Sequence, residues 1–262
     1  MRAANGLDVW LLRLPKHDQI AHLLDRSELD DRELERGAGF LRPRDSVLYL
    51  SAHIVLRRIL GDYLGLRPRD VRFVREPCPG CGEPHGRPAV ADPARPLHFS
   101  LSHGSGVALV AVAPATVGVD VERTPHSDTV EMCSPALHPG ERAELAAVAP
   151  DARCEAFGRV WTRKEAYLKG LGTGLSREPS LDYLGVETEH WPPGWTVLDI
   201  PVGPRHHGAV ALRGNVSEPV AVHRLPVDVL FDGAAVPPGN RGGTVSDAAQ
   251  IVKETGLAAA AR

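Results

Sequence analysis

The sequence predicts an α+β fold of two comparable halves, and three observations carry that expectation. An amphipathic stretch over 43–64 has the spacing of a long helix. Three short β-rich runs follow within 97–122. Two helical segments, over 138–148 and 151–171, then precede a second β-rich stretch over 195–230. The order helix, strands, helices, strands divides the chain near residue 115. The halves are 1–115 and 116–230, and residues 231–262 form a loosely ordered tail.

Each element has its own warrant. Near the start, Val9-Trp10-Leu11-Leu12 is a short apolar segment, and residues 25–36 form a charged, helix-like run. Over 43–64, Val47, Leu50, Ile54, Ile59, Leu60, Tyr63 and Leu64 recur at spacings of three and four. Pro43 suits the first turn of that helix and Gly65 its C-terminal end. In 97–102, Leu97, Phe99 and Leu101 alternate with His98, Ser100 and Ser102, as in a half-buried strand. Residues 107–113 are apolar throughout, and Pro114 ends them. In 117–122 the valines 117, 119 and 121 share one face. Three such strands in succession predict an antiparallel meander. Pro150 separates the two later helices. After Phe231, prolines, glycines and an alanine-rich end leave little core pattern beyond Ile251, Val252 and Leu257.

Bulk composition narrows the function classes. The chain has 262 residues, 43% hydrophobic and 24% charged, with a net charge of −3. That balance gives no reason to expect nucleic acid or an anionic membrane as partner. No stretch approaches the roughly 18 apolar residues of a membrane helix, and residues 1–16 lack the apolar core of a signal peptide. The expected location is the cytoplasm. Four cysteines (78, 81, 133 and 154) are too few for a disulfide scaffold. Cys78 and Cys81 form CPGC with His85 four residues on; the preferred reading is a tight turn carrying two thiols, and a zinc knuckle is the alternative.

Three stretches carry chemistry. In Gly118-Val119-Asp120-Val121-Glu122 the two carboxylates are i and i+2 on a strand, so they project side by side and need a cation or a shared proton to coexist. Oxygen donors of this kind suit Mg²⁺; the plain alternative is a pair of acids facing water at a strand end. In the segment WTRKEAYLK, over 161–169, Phe157, Trp161, Glu165 and Lys169 form one helical stripe. Only four of the 30 basic residues are lysine, and two of them, Lys164 and Lys169, lie in six residues. Arginine would serve an exposed ion pair equally well, so these positions call for the ammonium itself. In Phe99-Ser100-Leu101-Ser102-His103-Gly104-Ser105, a histidine at a strand end suits phosphate binding or base chemistry. Residues 42–75 add eight arginines against three aspartates, a surplus of five positive charges.

In order and spacing these stretches resemble the motifs of the Sfp-type 4′-phosphopantetheinyl transferases. The resemblance runs over 42–174, and its strongest parts are GVDVE and WTRKEAYLKGLGTGL. FSLSHG is a nearer variant, with Ser100 where the family commonly has Asn and Gly104 where it commonly has Ser; Gly86-Arg87-Pro88 stands for a frequent Gly-Lys-Pro. The resemblance implies two α+β halves related by a pseudo-twofold, with coenzyme A between them and one chain acting as a monomer. It implies Asp120, Glu122 and Glu165 around one Mg²⁺, with Glu141 a further candidate. It places Lys169 on the phosphate under attack and His103 on a phosphate. Arg44, Arg57 and Arg87 would grip the adenosine 3′-phosphate end, and Ser102 and Lys164 would also contact coenzyme A. Catalytic roles fall to Glu165, Lys169 and His103, with Glu165 or a metal-bound water taking the serine proton. The implied partners are apo acyl or peptidyl carrier proteins of polyketide and nonribosomal peptide synthesis, meeting the chain near 123–137. A Mg²⁺-dependent nucleotide pyrophosphohydrolase and a non-catalytic coenzyme A-binding module are the rival readings.

Overall fold

The computed structural model describes residues 6–91, 97–216, 220–237 and 241–245. The N-terminal apolar segment is strand β1 (Asp8–Arg13), followed by helices α1 (His17–Ile20) and α2 (Asp31–Ala38). The charged run over 25–36 is not one helix. A single turn, Arg26–Glu28, ends at extended Leu29, and α2 starts afresh on Asp30. The Asp30 carboxylate accepts from the Glu33 amide, and the Glu33 side chain accepts from the Asp30 amide, both at 2.9 Å. Helix α3 (Pro43–Leu64) has the bounds its periodicity predicts, with Gly65 closing it in the left-handed conformation at φ 66°.

Strands β2 (Phe73–Arg75) and β3 (Pro88–Val90) form a hairpin around the CPGC loop. Next come β4 (His98–Gly104), β5 (Val107–Ala113) and β6 (Val117–Arg123). Helices α4 (Ser127–Cys133), α5 (Pro139–Ala147) and α6 (Arg153–Leu171) follow. Strands β7 (Trp195–Ile200), β8 (His206–Arg213), β9 (Val220–Leu225) and β10 (Arg241–Val245) complete the described chain.

Among the described residues one sheet runs β10-β9-β1-β5-β4 and another β6-β8-β7. The expected meander therefore stops after two strands: β4 and β5 pair antiparallel, but β6 pairs with β8 in the second sheet. Strand β1 occupies the edge of β5 that β6 would have needed. Past Pro114 the chain folds over instead, and Val117, Val119 and Val121 pack against Val107, Leu109 and Ala111 of β5 between the sheets. The other face of β5, Ala108, Val110 and Val112, packs with α3. Every residue of β5 is buried, which explains its uninterrupted apolar run. On the far side, Ala166 and Leu168 of α6 pack against Val197, Ala209 and Ala211 of the second sheet. The layers are thus α3, first sheet, second sheet, α6.

The half expected over 116–230 does not stay together. Strand β9 returns to the first sheet and pairs parallel with β1. Its His223 Nε2 donates to Asp8 Oδ1 at 2.7 Å, and the ring stacks on Trp10 at 4.2 Å between ring centres. Nor is the region after 231 wholly loose, because β10 adds to the open edge of β9. Ile251, Val252 and Leu257 lie outside the described residues.

Arg58 of α3 fastens this return. It is buried, ion-paired to Glu28 at 2.6 Å and Asp25 at 3.0 Å, and it donates to the carbonyls of Val229 and Phe231 at 2.6 and 2.9 Å. Removing one partner of a buried ionic cluster costs about 3–5 kcal/mol, because the carboxylates stay behind uncompensated. Arg58→Ala is therefore expected to lower stability by about that amount, read from the urea unfolding midpoint. A loss below about 1 kcal/mol would show that Arg58 does not hold the returning strand.

Candidate active site

Helix α6 reaches strand β6 at a pair of glycines. An added Cβ at Gly118 would stand 2.0 Å from the Ala166 carbonyl oxygen and 2.3 Å from the Gly170 nitrogen. Only a residue without a side chain permits that approach. It brings Lys169, one position before Gly170, over Asp120 on the face of β6 opposite the valines. The Lys169 ammonium lies 2.5 Å from Asp120 Oδ1 and donates to Ser102 Oγ at 3.0 Å.

Ser102 is fully used. Its hydroxyl donates to Asp120 Oδ1 at 2.8 Å and accepts from Lys169 and from the Val121 amide, the latter at 3.3 Å. Ser100 accepts from the Val119 amide at 3.0 Å. The alternating serines of β4 thus supply acceptors to β6 where the two sheets meet. These are the polar positions of the half-buried strand, and they join the two sheets as well as furnishing the site.

A cleft of about 830 Å³ opens here, between α2 and α3, the β2–β3 hairpin, β4, β6 and α6. It is lined by seven of the sequence-predicted residues: Arg87, Ser102, His103, Asp120, Glu122, Glu165 and Lys169. The remaining four do not. Arg44 is exposed beside Asp45, at 3.5 Å. Arg57 is buried, donating to Glu33 at 2.7 Å, Asp30 at 2.8 Å and the carbonyls of Val71 and Pro68 at 3.0 and 3.2 Å. Lys164 is 2% exposed; its three protons go to Glu141 at 2.8 Å, Pro179 O at 2.8 Å and Asp182 O at 2.5 Å. Glu141 is wholly buried, accepting from the amides of His138 at 2.9 Å and Leu184 at 2.6 Å. Arg57, Lys164 and Glu141 are thus buried and bonded within the protein, whereas Arg44 stands on the surface outside the cleft.

Sequence reasoning missed Arg32, Tyr49 and His53, which line the cleft, and gave Arg75 no individual role there. Tyr49 and His53 are four apart on α3, rings 4.2 Å apart, and Tyr49 meets His103 edge-on at 5.9 Å. That i,i+4 pair is visible in the sequence but is masked by the stronger apolar stripe.

The site is electrostatically unfinished. Asp120 Oδ2 is buried without a hydrogen-bond partner. Desolvation within the cleft, then the charge of Asp120, push the Glu122 carboxyl up to about 7, although its outer edge is open to water. Glu165 is raised by burial and then by Asp120. Burial, then the charges of His53 and Lys169, bring His103 down to about 4, so it is neutral near pH 7. Three carboxylates, one with an orphaned oxygen, offer the all-oxygen donor set that a hard divalent cation takes. Their oxygens do not all lie within 4.8 Å of one another, the spacing that among the described residues only Cys78, Cys81 and His85 reach. Lys169 holds Asp120 Oδ1 in the meantime.

Residues 116–209, which contain β6 and α6, match the profile of the 4′-phosphopantetheinyl transferase superfamily. The chain is 30% identical over 225 residues to the 4′-phosphopantetheinyl transferase HetI of Nostoc sp. strain PCC 7120, covering 82% of this chain and 92% of that protein. It is 29% identical over 143 residues to the 4′-phosphopantetheinyl transferase of Bacillus subtilis, covering 54% of this chain and 59% of that one. To 4′-phosphopantetheinyl transferase AcpT of Escherichia coli K12 it is 40% identical over 99 residues, 37% of this chain and 50% of that protein. With the Nostoc relative matched over nearly its whole length, the chain belongs to the 4′-phosphopantetheinyl transferase superfamily.

A proton linkage follows from Glu122. Its folded carboxyl is raised from 4.5 to about 7, so the metal-free protein loses stability as pH rises through that window. A cation needs the ionised form, so the rise in melting temperature given by Mg²⁺ is expected to be small at pH 6 and to grow by pH 8. Apparent affinity should change by up to about tenfold per pH unit below 7. Melting curves with and without Mg²⁺ check this, and a pH-independent shift counts against the carboxylate site.

Proposed function

We propose that the cleft binds coenzyme A and Mg²⁺ and transfers the 4′-phosphopantetheine arm to a serine of an apo acyl or peptidyl carrier protein. The observation that carries it is the convergence of Lys169, Asp120 and Ser102 from α6, β6 and β4, within 3.0 Å of one another, on the floor of a cleft lined by Glu122, Glu165 and His103. The cations Arg32, Arg75 and Arg87 on its first-half wall, with neutral His103 among them, support that wall as the grip on the adenosine phosphates. They take the place that Arg44 and Arg57 had in the sequence reading. Asp120, Glu122 and Glu165 would hold Mg²⁺. When bound, that ion supplies charge neutralisation on the pyrophosphate oxygens.

The residues then have distinct tasks. Glu165, made a better proton acceptor by its raised carboxyl, takes the proton of the carrier serine. The serine oxygen forms a bond to the phosphorus that carries pantetheine. The bond from that phosphorus to the bridging oxygen breaks, and adenosine 3′,5′-bisphosphate leaves. Lys169, part exposed to the cleft, releases Asp120 and places its ammonium on the oxygen that gains charge. His103, neutral when the cleft is empty, gains a proton beside a phosphate.

The layer order supports the two-halves reading with a pseudo-twofold relation, since one long helix covers each outer sheet face. Both walls of the cleft come from one chain, which favours action as a monomer. For the carrier, the segment over 123–137 offers α4 with Met132 79% exposed, next to Glu122 on β6. An exposed apolar side chain in a segment that begins at Arg123 suits the acidic helix of a carrier. Polyketide and nonribosomal peptide carriers are the proposed class, and the cytoplasm the proposed site of action.

Intact-mass measurement of an apo carrier with this chain, coenzyme A and Mg²⁺ should show one phosphopantetheine added, and none with chelator. Glu165→Gln and Lys169→Ala should each lower turnover by about 10²–10⁴-fold with the circular dichroism unchanged. Near-normal turnover in either variant removes that residue from the chemistry. Adenosine bisphosphate formed equally well without a carrier identifies a hydrolase instead.

A further inference from the structure

The β2–β3 hairpin ends in a loop that the transfer reaction leaves unexplained. Residues 76–87 are closed by Glu76 N–H to Arg87 O at 3.1 Å and Gly86 N–H to Glu76 O at 2.9 Å. Inside, Cys78 N–H donates to Glu83 O, Gly82 N–H to Cys78 O and His85 N–H to Glu83 O, each at 2.8 Å. Gly82 sits at φ 78°, so the chain turns back tightly there. The thiols and an imidazole are brought together as a result. Cys81 Sγ lies 2.9 Å from His85 Nε2, and the ligand atoms of Cys78, Cys81 and His85 all lie within 4.8 Å of one another.

We propose that Cys78, Cys81 and His85 bind one zinc ion, with the fourth position open to water. Zinc bonds of about 2.3 Å to sulfur and about 2.0 Å to nitrogen give tetrahedral edges of roughly 3.5–3.8 Å, within reach of this cluster. The bare sequence favours a turn carrying two thiols. What decides for metal is the third donor, delivered by the turn through Gly82. Binding releases the thiol protons of Cys78 and Cys81 to solvent, while neutral His85 donates its lone pair. Cys78 is buried, whereas Cys81 and His85 are exposed, which leaves the open side to solvent.

The position of the loop gives the ion a purpose. Most residues from Pro79 to His85 are exposed, so no core fixes them. Yet Pro79 stands 3.7 Å from where a Cβ of Gly172 would be, against the end of α6. Arg87 links the loop to α6 by a hydrogen bond to Gly170 O at 3.0 Å and pairs with Glu76 at 2.6 Å. Zinc is a clip that holds this wall of the cleft against the helix carrying Lys169.

The test is metal analysis of the full chain purified without strong chelators. About one zinc per chain is expected, falling at least tenfold in the Cys78→Ser/Cys81→Ser double variant. Cobalt exchanged into the wild-type chain should give thiolate-to-cobalt charge-transfer bands and tetrahedral visible bands; Mg²⁺-type carboxylate sites give no such charge transfer. Should the double variant not fold, cobalt titration of wild-type chain, emptied by a mercurial and then restored with thiol, still decides. Zinc below a tenth of an equivalent with no charge-transfer band overturns the proposal. So does zinc retained in a folded double variant, or a Cys78–Cys81 disulfide in freshly isolated chain.

Discussion

Helix α6 lies against strand β6 at a distance that only glycine allows, with Gly118 facing the Ala166 carbonyl and the Gly170 backbone. The rest of the site is a consequence of that contact. Because the helix sits so low, Lys169 reaches Asp120 without stretching, and Ser102 of the neighbouring strand completes the triangle. A methyl group at position 118 would lift the helix and withdraw the ammonium together with Glu165, one turn earlier. The pieces of the site come from three elements in two sheets, and no single one of them holds the geometry.

Charge in the cleft is held in balance by mutual restraint. Asp120 keeps one oxygen on Lys169 and leaves the other without a partner, while Glu122 and Glu165 resist ionising so near it. His103 stays uncharged among cations. In the proposed reaction a polyphosphate and a cation entering together would replace this like-charge repulsion with attraction.

Much of this was legible in the sequence. The i,i+2 carboxylates of β6, the helical stripe ending at Lys169 and the serine alternation of β4 depend on local periodicity, which survives folding. The bounds of α3 were readable for the same reason. What was not readable was burial. Arg57, Lys164 and Glu141 have the same chemistry as ligand-binding residues, but each is spent inside the protein on carbonyls, amides and opposite charges. The arginine surplus over 42–75 shrinks in this way, since Arg57 and Arg58 face inward onto acids from residues 25–33. Nothing in the order of the letters separates an inward arginine from an outward one when both lie on one helix. Strand partnership was equally hidden: β6 leaves β5 because β1, a hundred residues earlier in the chain, already occupies that edge.

The parallel pairing of β1 with β9 also bears on how the protein is made. Strand β1 leaves the ribosome well before its partner Val220–Leu225. Between them the whole second sheet and α6 must emerge. The first sheet therefore waits for β9 with one edge of β1 open, and an exposed edge invites pairing with other chains. The early part of the chain has its own long helix and three of that sheet's strands, yet the sheet lacks β9 until the second sheet has been made. Its closure is deferred to that point, so that both walls of the cleft become rigid together.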